Sequence, residues 1–197
     1  PGARRGGLHT DTVPFNRYWH VARNFRALGG GENGREVTEE ELRTYQVKRS
    51  HETELEAVLD LSDRPLVVLN PNAGDLAPER RWPATRFAAL AARLIREDGA
   101  SVVLTGTSAE RAISAEVLRA AGPLPTGRLL DLSGELSIGG LQALFQRAAL
   151  VVSNDSGPMH LAAAHGAPTL GLFGPETPVM YAPLGRHTRV HYAPPLC

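Results

Sequence analysis

From Pro65 onward the chain alternates short aliphatic runs with amphipathic stretches of helical length, and this alternation restricts its fold more than any other feature. Residues 66–70 (LVVLN), 101–105 (SVVLT), 129–132 (LLDL) and 150–152 (LVV) have the length and side chains of strands buried on both faces. Between them, residues 84–97, a stretch reaching about residue 121, and residues 137–148 read as helices. Thr107-Ser108-Ala109-Glu110 has the form of a capping box and opens the second of these. Such alternation predicts an α/β fold, a doubly wound parallel sheet of Rossmann-like type with helices on both faces.

The tightest version of the unit is residues 150–175, LVVSNDSGPMHLAAAHGAPTLGLFGP. Its strand stops at Ser153-Asn154-Asp155-Ser156-Gly157, residues that cap helices or tolerate unusual backbone angles. Pro158 stands at the expected first helical position, where its missing N–H costs nothing. Met159 to His165 reads as a short helix ended by Gly166-Ala167-Pro168, residues 169–173 form the next strand, and 189–192 add another. A helix N-terminus beside the C-terminal edge of a parallel sheet is an anion site, usually for phosphate. Gly157 lets a ligand approach the backbone, Ser156 can donate its hydroxyl to the same oxygens, and His160 can face the pocket. Asp155 repels phosphate, so it holds the turn or contacts a sugar hydroxyl. The plainer alternative is that Asp155 or Ser156 is only an N-cap and His160 a packed helix residue.

Composition narrows the rest. A chain of 197 residues can bury one good core with an appended piece. Its 21 basic and 21 acidic residues cancel, which argues against a nucleic-acid or membrane-surface partner. Lys48 is the only lysine, a skew that, with many Ala, Gly and Pro, looks like genome composition. One cysteine excludes an internal disulfide framework and fits a reducing compartment. With no signal peptide and no apolar run of membrane-spanning length, a cytoplasmic domain is expected. The chain starts at Pro1 rather than Met and reads as a portion of a longer protein.

Residues 1–55 differ in texture and are expected to be the tail of a preceding N-terminal domain and a linker, partly disordered. Pro1 to Gly7 carries the disorder signal. Residues 16–28 place Trp19, Val21, Ala22, Phe25 and Leu28 at helical spacing, ended by Gly29-Gly30-Gly31. A second helix is expected over 53–61, and His9, His20 and His51 are too scattered for a metal site.

In doubly wound sheets ligands bind outside the carboxyl ends of the strands, so the loops there carry the information. After the first strand come Asn72, Ala73 and Gly74, then Arg80-Arg81-Trp82-Pro83. Arginines beside a Gly-containing loop suit a diphosphate, since guanidinium pairs with phosphate oxygens in bidentate fashion; a solvated Arg pair is the alternative. After the second strand, Thr105-Gly106 permits close ligand approach, and Glu110 either reaches ribose hydroxyls or serves only the capping box. After the third, Ser133-Gly134 can sit against a base ring through backbone groups. No G-x-G-x-x-G follows a strand and no P-loop lysine pattern occurs, which disfavours a dinucleotide dehydrogenase and a P-loop NTPase.

The order Asn-Pro-x-Ala-Gly, Arg80-Arg81-Trp82-Pro83, Leu104-Thr105-Gly106 with Glu110, Leu132-Ser133-Gly134, Ser153 to His160, then Leu172-Phe173-Gly174-Pro175 resembles the heptosyltransferase family. These are the ADP-heptose:lipopolysaccharide glycosyltransferases of family 9, with two-domain GT-B architecture. The likeness covers about residues 65–185 and corresponds to the C-terminal, donor-binding half. It implies a nucleotide-sugar-binding Rossmann-like domain over 56–197. The implied donor is a nucleotide-diphospho-sugar of ADP-heptose type. Its sugar would pass with inversion, without metal or cofactor, to a glycan or lipid-linked acceptor in lipopolysaccharide biosynthesis.

By the same resemblance, Asp155 to His160 would hold the diphosphate, with Met159 and His160 as N–H donors because Pro158 has none. Arg80 stands where the family usually has the Lys of Lys-x-Trp-Pro, which keeps the charge but changes the phosphate geometry. Glu110 would match a carboxylate near the ribose. The general base would come from the N-terminal domain, so no catalytic residue is expected here, and the chain would bind nucleotide without turning it over. Peripheral membrane association of the full-length enzyme is compatible with this. A non-catalytic nucleotide-sugar-binding module and a GT-B sugar-nucleotide epimerase are the competing readings.

Overall fold

Six strands form one all-parallel sheet in the order β3-β2-β1-β4-β5-β6, in a computed structural model that describes residues 12–30, 38, 41, 46–60, 64–74 and 77–194. The strands are β1 (Leu66–Asn70), β2 (Ser101–Leu104), β3 (Leu129–Asp131), β4 (Leu150–Asn154), β5 (Thr169–Phe173) and β6 (Thr188–Tyr192). The described helices are α1 (Val21–Leu28), α2 (Arg49–Val58), α3 (Ala84–Glu97), α4 (Arg111–Ala121), α5 (Ile138–Arg147), α6 (Gly157–Ala164) and α7 (Pro178–Tyr181).

Both faces of the sheet are covered, which is why β1 is buried along its whole length. Alternate residues point to opposite sides. Val68, Val103 and Val151, in register across three strands, pack with Leu55, Leu59, Leu144 and Phe145 under α2 and α5. Val67, Leu69, Val102, Leu104 and Val152 pack with Phe87, Ala91 and Val117 under α3 and α4. Each fully buried Phe contributes about 2–3 kcal/mol of transfer free energy. The strand order reverses between β1 and β4, so their following loops diverge and leave a crevice at the C-terminal edge.

The expected alternation matches the observed one, with differences at the ends. The first helix begins at Val21 rather than residue 16, because the buried Asn24 amide folds back on Asn16. Asn24 Oδ1 accepts from the Asn16 N–H and its Nδ2 donates to the Asn16 carbonyl, both at 2.9 Å. That pins residues 16–20 as a turn, and His20 Nδ1 caps the helix by accepting from the Ala22 N–H at 3.1 Å. The second helix runs Arg49–Val58 rather than 53–61; it crosses the expected division at 55/56 and places Leu55 in the core. The expected disorder of Pro1 to Gly7, and Gly31 and Leu61, lie outside the described residues. The short helix α7 adds to the expected elements, and Thr177 followed by Pro178 is its start: the Thr177 Oγ1 accepts from the Val179 N–H at 3.2 Å.

Candidate functional site

The loops after β1, β2, β3 and β4 enclose a cleft of about 590 Å³. Its first wall is the loop after β1. Asn70 and Asn72 are buried there; the Asn72 N–H donates to Asn70 Oδ1 at 3.1 Å and Asn72 Nδ2 donates to the Thr105 carbonyl at 3.1 Å. Asn72 Oδ1 is buried with no partner among the described residues. Ala73 and Gly74 continue this wall, Gly74 with a positive φ of 66°. Asn154 staples both ends of the loop to β4, its Oδ1 accepting from the Trp82 N–H and its Nδ2 donating to the Pro71 carbonyl, each at 2.9 Å. Trp82 stands edge-on to Phe87 with ring centroids 5.2 Å apart, which anchors the chain after the loop.

Between those anchors a 3-10 turn, Pro78–Arg80, delivers Arg80 to the cleft. Its Nη1 lies 3.4 Å from Asp155 Oδ2, a long pair, and its buried Nε has no partner among the described residues. Asp155 is itself buried, its N–H donating to the Leu172 carbonyl at 3.1 Å. A guanidinium with one long ion pair and a buried N–H that has no partner is under-satisfied.

The turn after β4 forms the opposite wall with Ser156, Gly157 and Pro158. The Ser153 Oγ donates to the Asn154 carbonyl at 2.8 Å, so the 3.1 Å contact between the Ser153 and Ser156 hydroxyls has Ser156 as donor. The Met159 N–H is taken by the Ser156 carbonyl at 3.2 Å. The Gly157 N–H has no hydrogen-bond partner among the described residues.

The floor comes from β2 and β3. A Cβ on Gly106 would lie 2.5 Å from Asn72 Nδ2, so any larger residue there forces Asn72 to shift. Gly134, at φ 75°, packs against the Ser108 backbone and donates its N–H to the Gly106 carbonyl at 2.8 Å. Glu110 closes the capping box, its Oε2 accepting from the Thr107 N–H at 2.8 Å and Oγ1 at 2.9 Å, and stands at the rim. Beyond it Leu136, Ile138 and Leu141 make an apolar wall, with Ile138 73% exposed.

Of the sixteen residues singled out from the sequence, the structure therefore brings Asn72, Ala73, Gly74, Arg80, Thr105 and Gly106 to the cleft, together with Glu110, Gly134, Ser156, Gly157 and Pro158. The other five side chains turn elsewhere. Arg81 Nη2 donates to the Gly74 carbonyl at 2.6 Å and braces the loop. Ser133 shares a 2.8 Å hydrogen bond with Ser114 beneath the floor. Asp155 lies behind Arg80, and Met159 is wholly buried against Gly171, where a Cβ would sit 2.6 Å from its sulfur. His160 faces a second cavity of about 200 Å³ with His20, Phe25 and Leu184. Burial pushes the His160 imidazole below its ordinary pKa, Asp155 opposes that and His20 adds to it.

Sequence reasoning missed Asn154 and the apolar wall. Asn154 sat in a cluster that read as turn residues, and Ile138 was hidden as the first residue after an N-cap Ser. Among the described residues there is no group of three or more His, Cys, Asp or Glu placed to hold a metal ion, and no helix long and apolar enough to cross a membrane.

A parallel sheet of this order with its crevice at the strand reversal defines the class: a Rossmann-like α/β domain. The chain belongs to glycosyltransferase family 9, the heptosyltransferases, whose profile matches residues 11–194. It is 36% identical over 129 residues to lipopolysaccharide heptosyltransferase 2 of Salmonella typhimurium and 35% identical over 129 residues to that of Escherichia coli. Each match takes in 66% of this chain and 36% of the relative. The structure of E. coli ADP-heptose LPS heptosyltransferase II superposes with a TM-score of 0.73 at 30% identity, covering 91% of this chain and 56% of that one. The chain thus matches only about a third of the length of these curated relatives.

Proposed function

We propose that the cleft binds a nucleotide-diphospho-sugar of ADP-heptose type, as the donor half of a heptosyltransferase acting on a glycan or lipid-linked acceptor of the lipopolysaccharide kind. The observation that carries this reading is Arg80. It is a partly exposed cation on the cleft wall whose one ion pair, to Asp155, is long at 3.4 Å, and the N-terminus of α6 with its unpartnered Gly157 N–H is on the same cleft. Both favour a diphosphate. The names of the relatives supply the heptose and the acceptor class.

In this reading the diphosphate lies between Arg80 and Gly157. Asp155 acts from behind, orienting Arg80 rather than touching phosphate. The ribose lies near Glu110, whose Oε1 takes no part in the capping box. The base lies against Leu136, Ile138 and Leu141. In the transfer, an acceptor hydroxyl oxygen attacks the anomeric carbon from the face opposite the diphosphate, the bond from that carbon to the phosphate oxygen breaks, and the configuration inverts. Arg80 and the Gly157 N–H take up the charge that develops on the departing diphosphate, the role a metal ion plays in other enzymes. The base that removes the acceptor proton belongs to the other half of the enzyme.

The test is calorimetric titration with ADP, UDP and GDP in the presence of EDTA. ADP is expected to bind most tightly, and Arg80→Ala to weaken it at least about tenfold, the loss of one charge-assisted hydrogen bond to phosphate. Equal affinity of the wild type and Arg80→Ala overturns the placement of the diphosphate.

A further inference from the structure

The N-termini of α5 and α6 both reach the cleft, and they are filled differently. That of α6 has the unpartnered Gly157 N–H. That of α5 is already occupied by a side chain from outside the cleft. Glu54, on α2, accepts from the Ser137 N–H at 2.5 Å and from the Ser137 Oγ–H at 2.7 Å. Ser137 Oγ in turn accepts from the Gly140 N–H at 3.1 Å, so both functions of the cap hydroxyl are fixed. A carboxylate there complements the α5 dipole and closes that end to phosphate. What α5 shows to the cleft is apolar, Ile138 and Leu141.

The close approach of α2 is written into the sequence. Gly139 and Gly140 occupy the first turn of α5, where glycine weakens a helix relative to alanine. A Cβ on Gly140 would lie 2.7 Å from Glu54 Oε1, and one on Gly139 would overlap the His51 ring. His51 and Glu54, three residues apart, lie on one face of α2. Leu55 and Leu59 hold that helix in the core. The first turn of α5 is therefore clamped from behind by α2 while its front lines the cleft.

We propose that Glu54 is a positioning residue for nucleobase recognition: by holding Ser137 it fixes the first turn of α5, and with it the Leu136, Ile138 and Leu141 wall, where a planar heteroaromatic base packs. This rests on the nucleotide reading given above. A purely structural cap would change how hard the protein is to unfold and leave ligand preference alone. A positioning residue changes the preference for ligands with a base over ligands without one, because the phosphate end is held by other elements.

The test compares ADP with inorganic pyrophosphate by calorimetry on the wild-type chain and on Glu54→Ala, Glu54→Gln and Gly140→Ala, with melting temperatures alongside. Glu54→Ala is expected to weaken ADP about tenfold and pyrophosphate less than about twofold, the size of a lost hydrogen bond to a charged group acting on the base end alone. Glu54→Gln, whose amide oxygen still accepts from the Ser137 N–H, keeps ADP within about threefold of wild type. Gly140→Ala pushes Glu54 away and so behaves like Glu54→Ala, although alanine is the better helix former. If Glu54→Ala does not fold, Gly140→Ala decides. A ratio of ADP to pyrophosphate affinity that stays at the wild-type value in these variants overturns the proposal and leaves the nucleotide reading standing. A wild type that binds neither ligand overturns both.

Discussion

Gly106→Ala tests how the cleft is packed, and its cost can be worked from the contacts. The added Cβ would lie 2.5 Å from Asn72 Nδ2, 3.2 Å from Ser133 Oγ and 3.4 Å from the Glu110 Cβ. The first of these is far inside van der Waals contact, so Asn72 must move. It is poorly placed to do so, being buried and tied to the Thr105 carbonyl and to Asn70. Ser133 is tied to Ser114 at 2.8 Å and gives little. Overpacking of this kind costs about 1–3 kcal/mol, and the lost Asn72 hydrogen bond adds about 1 kcal/mol, for a total near 2–4 kcal/mol. For a chain of this size that corresponds to a fall in Tm of about 5–15 °C. Urea unfolding followed by tryptophan fluorescence measures it, and ADP titration on the same samples is expected to show affinity down by more than about tenfold. A variant within about 0.5 kcal/mol of wild type, with ADP binding unchanged, would refute the packing argument.

Asn154→Leu removes the staple between β4 and the loop that carries Arg80, leaving the Trp82 N–H and the Pro71 carbonyl unpaired, so stability is expected to fall by about 2–4 kcal/mol. Denaturant unfolding checks it, and a change below 1 kcal/mol, on the order of one ordinary hydrogen bond, counts against the staple. The neutral form of His160 is favoured by burial, so its folded pKa lies below the ordinary imidazole value of 6.5 and the unfolded chain takes up the proton first. Its contribution is present above that pH and is lost as pH falls toward the folded pKa; urea midpoints at pH 8 and pH 5.5 should differ less in His160→Gln than in wild type, and an equal difference contradicts the assignment. Glu54 has the opposite chemistry, its pKa lowered by the Ser137 N–H and hydroxyl, so its contribution is present above the ordinary carboxylate value of 4.5 and lost as pH falls through the folded pKa. Glu54→Gln should remove that acid-side loss, measured as the change in Tm below pH 5.

Much of the fold was legible because local pattern and tertiary environment agree. LVVLN and SVVL are buried on both faces, and a continuous aliphatic run is what such strands require. Thr107 and Glu110 form the capping box that their spacing announces. What failed to show depends on partners far away in the chain. The start of α1 is set by Asn24 reaching back to Asn16, which no helical periodicity records. Asp155 and Met159 sit in the motif that drew attention to the site, yet one turns to Arg80 and the other into the core behind Gly171. The apolar wall escaped because an exposed Ile beside an N-cap looks like any surface residue until the floor of the cleft is seen opposite it. Asn154 escaped because its two partners, Trp82 and Pro71, meet it only when β1 and β4 lie side by side.

In the proposed function the crevice between the β1 and β4 loops holds a nucleoside diphosphate with its phosphates between Arg80 and Gly157. A crystal structure of the chain with ADP tests this most directly. Diphosphate oxygens are expected within hydrogen-bond distance of the Arg80 guanidinium and the Gly157 N–H, the ribose beside Glu110, and the adenine against Ile138 and Leu141. ADP bound with its base toward Arg80, or seated away from both residues, would contradict this placement.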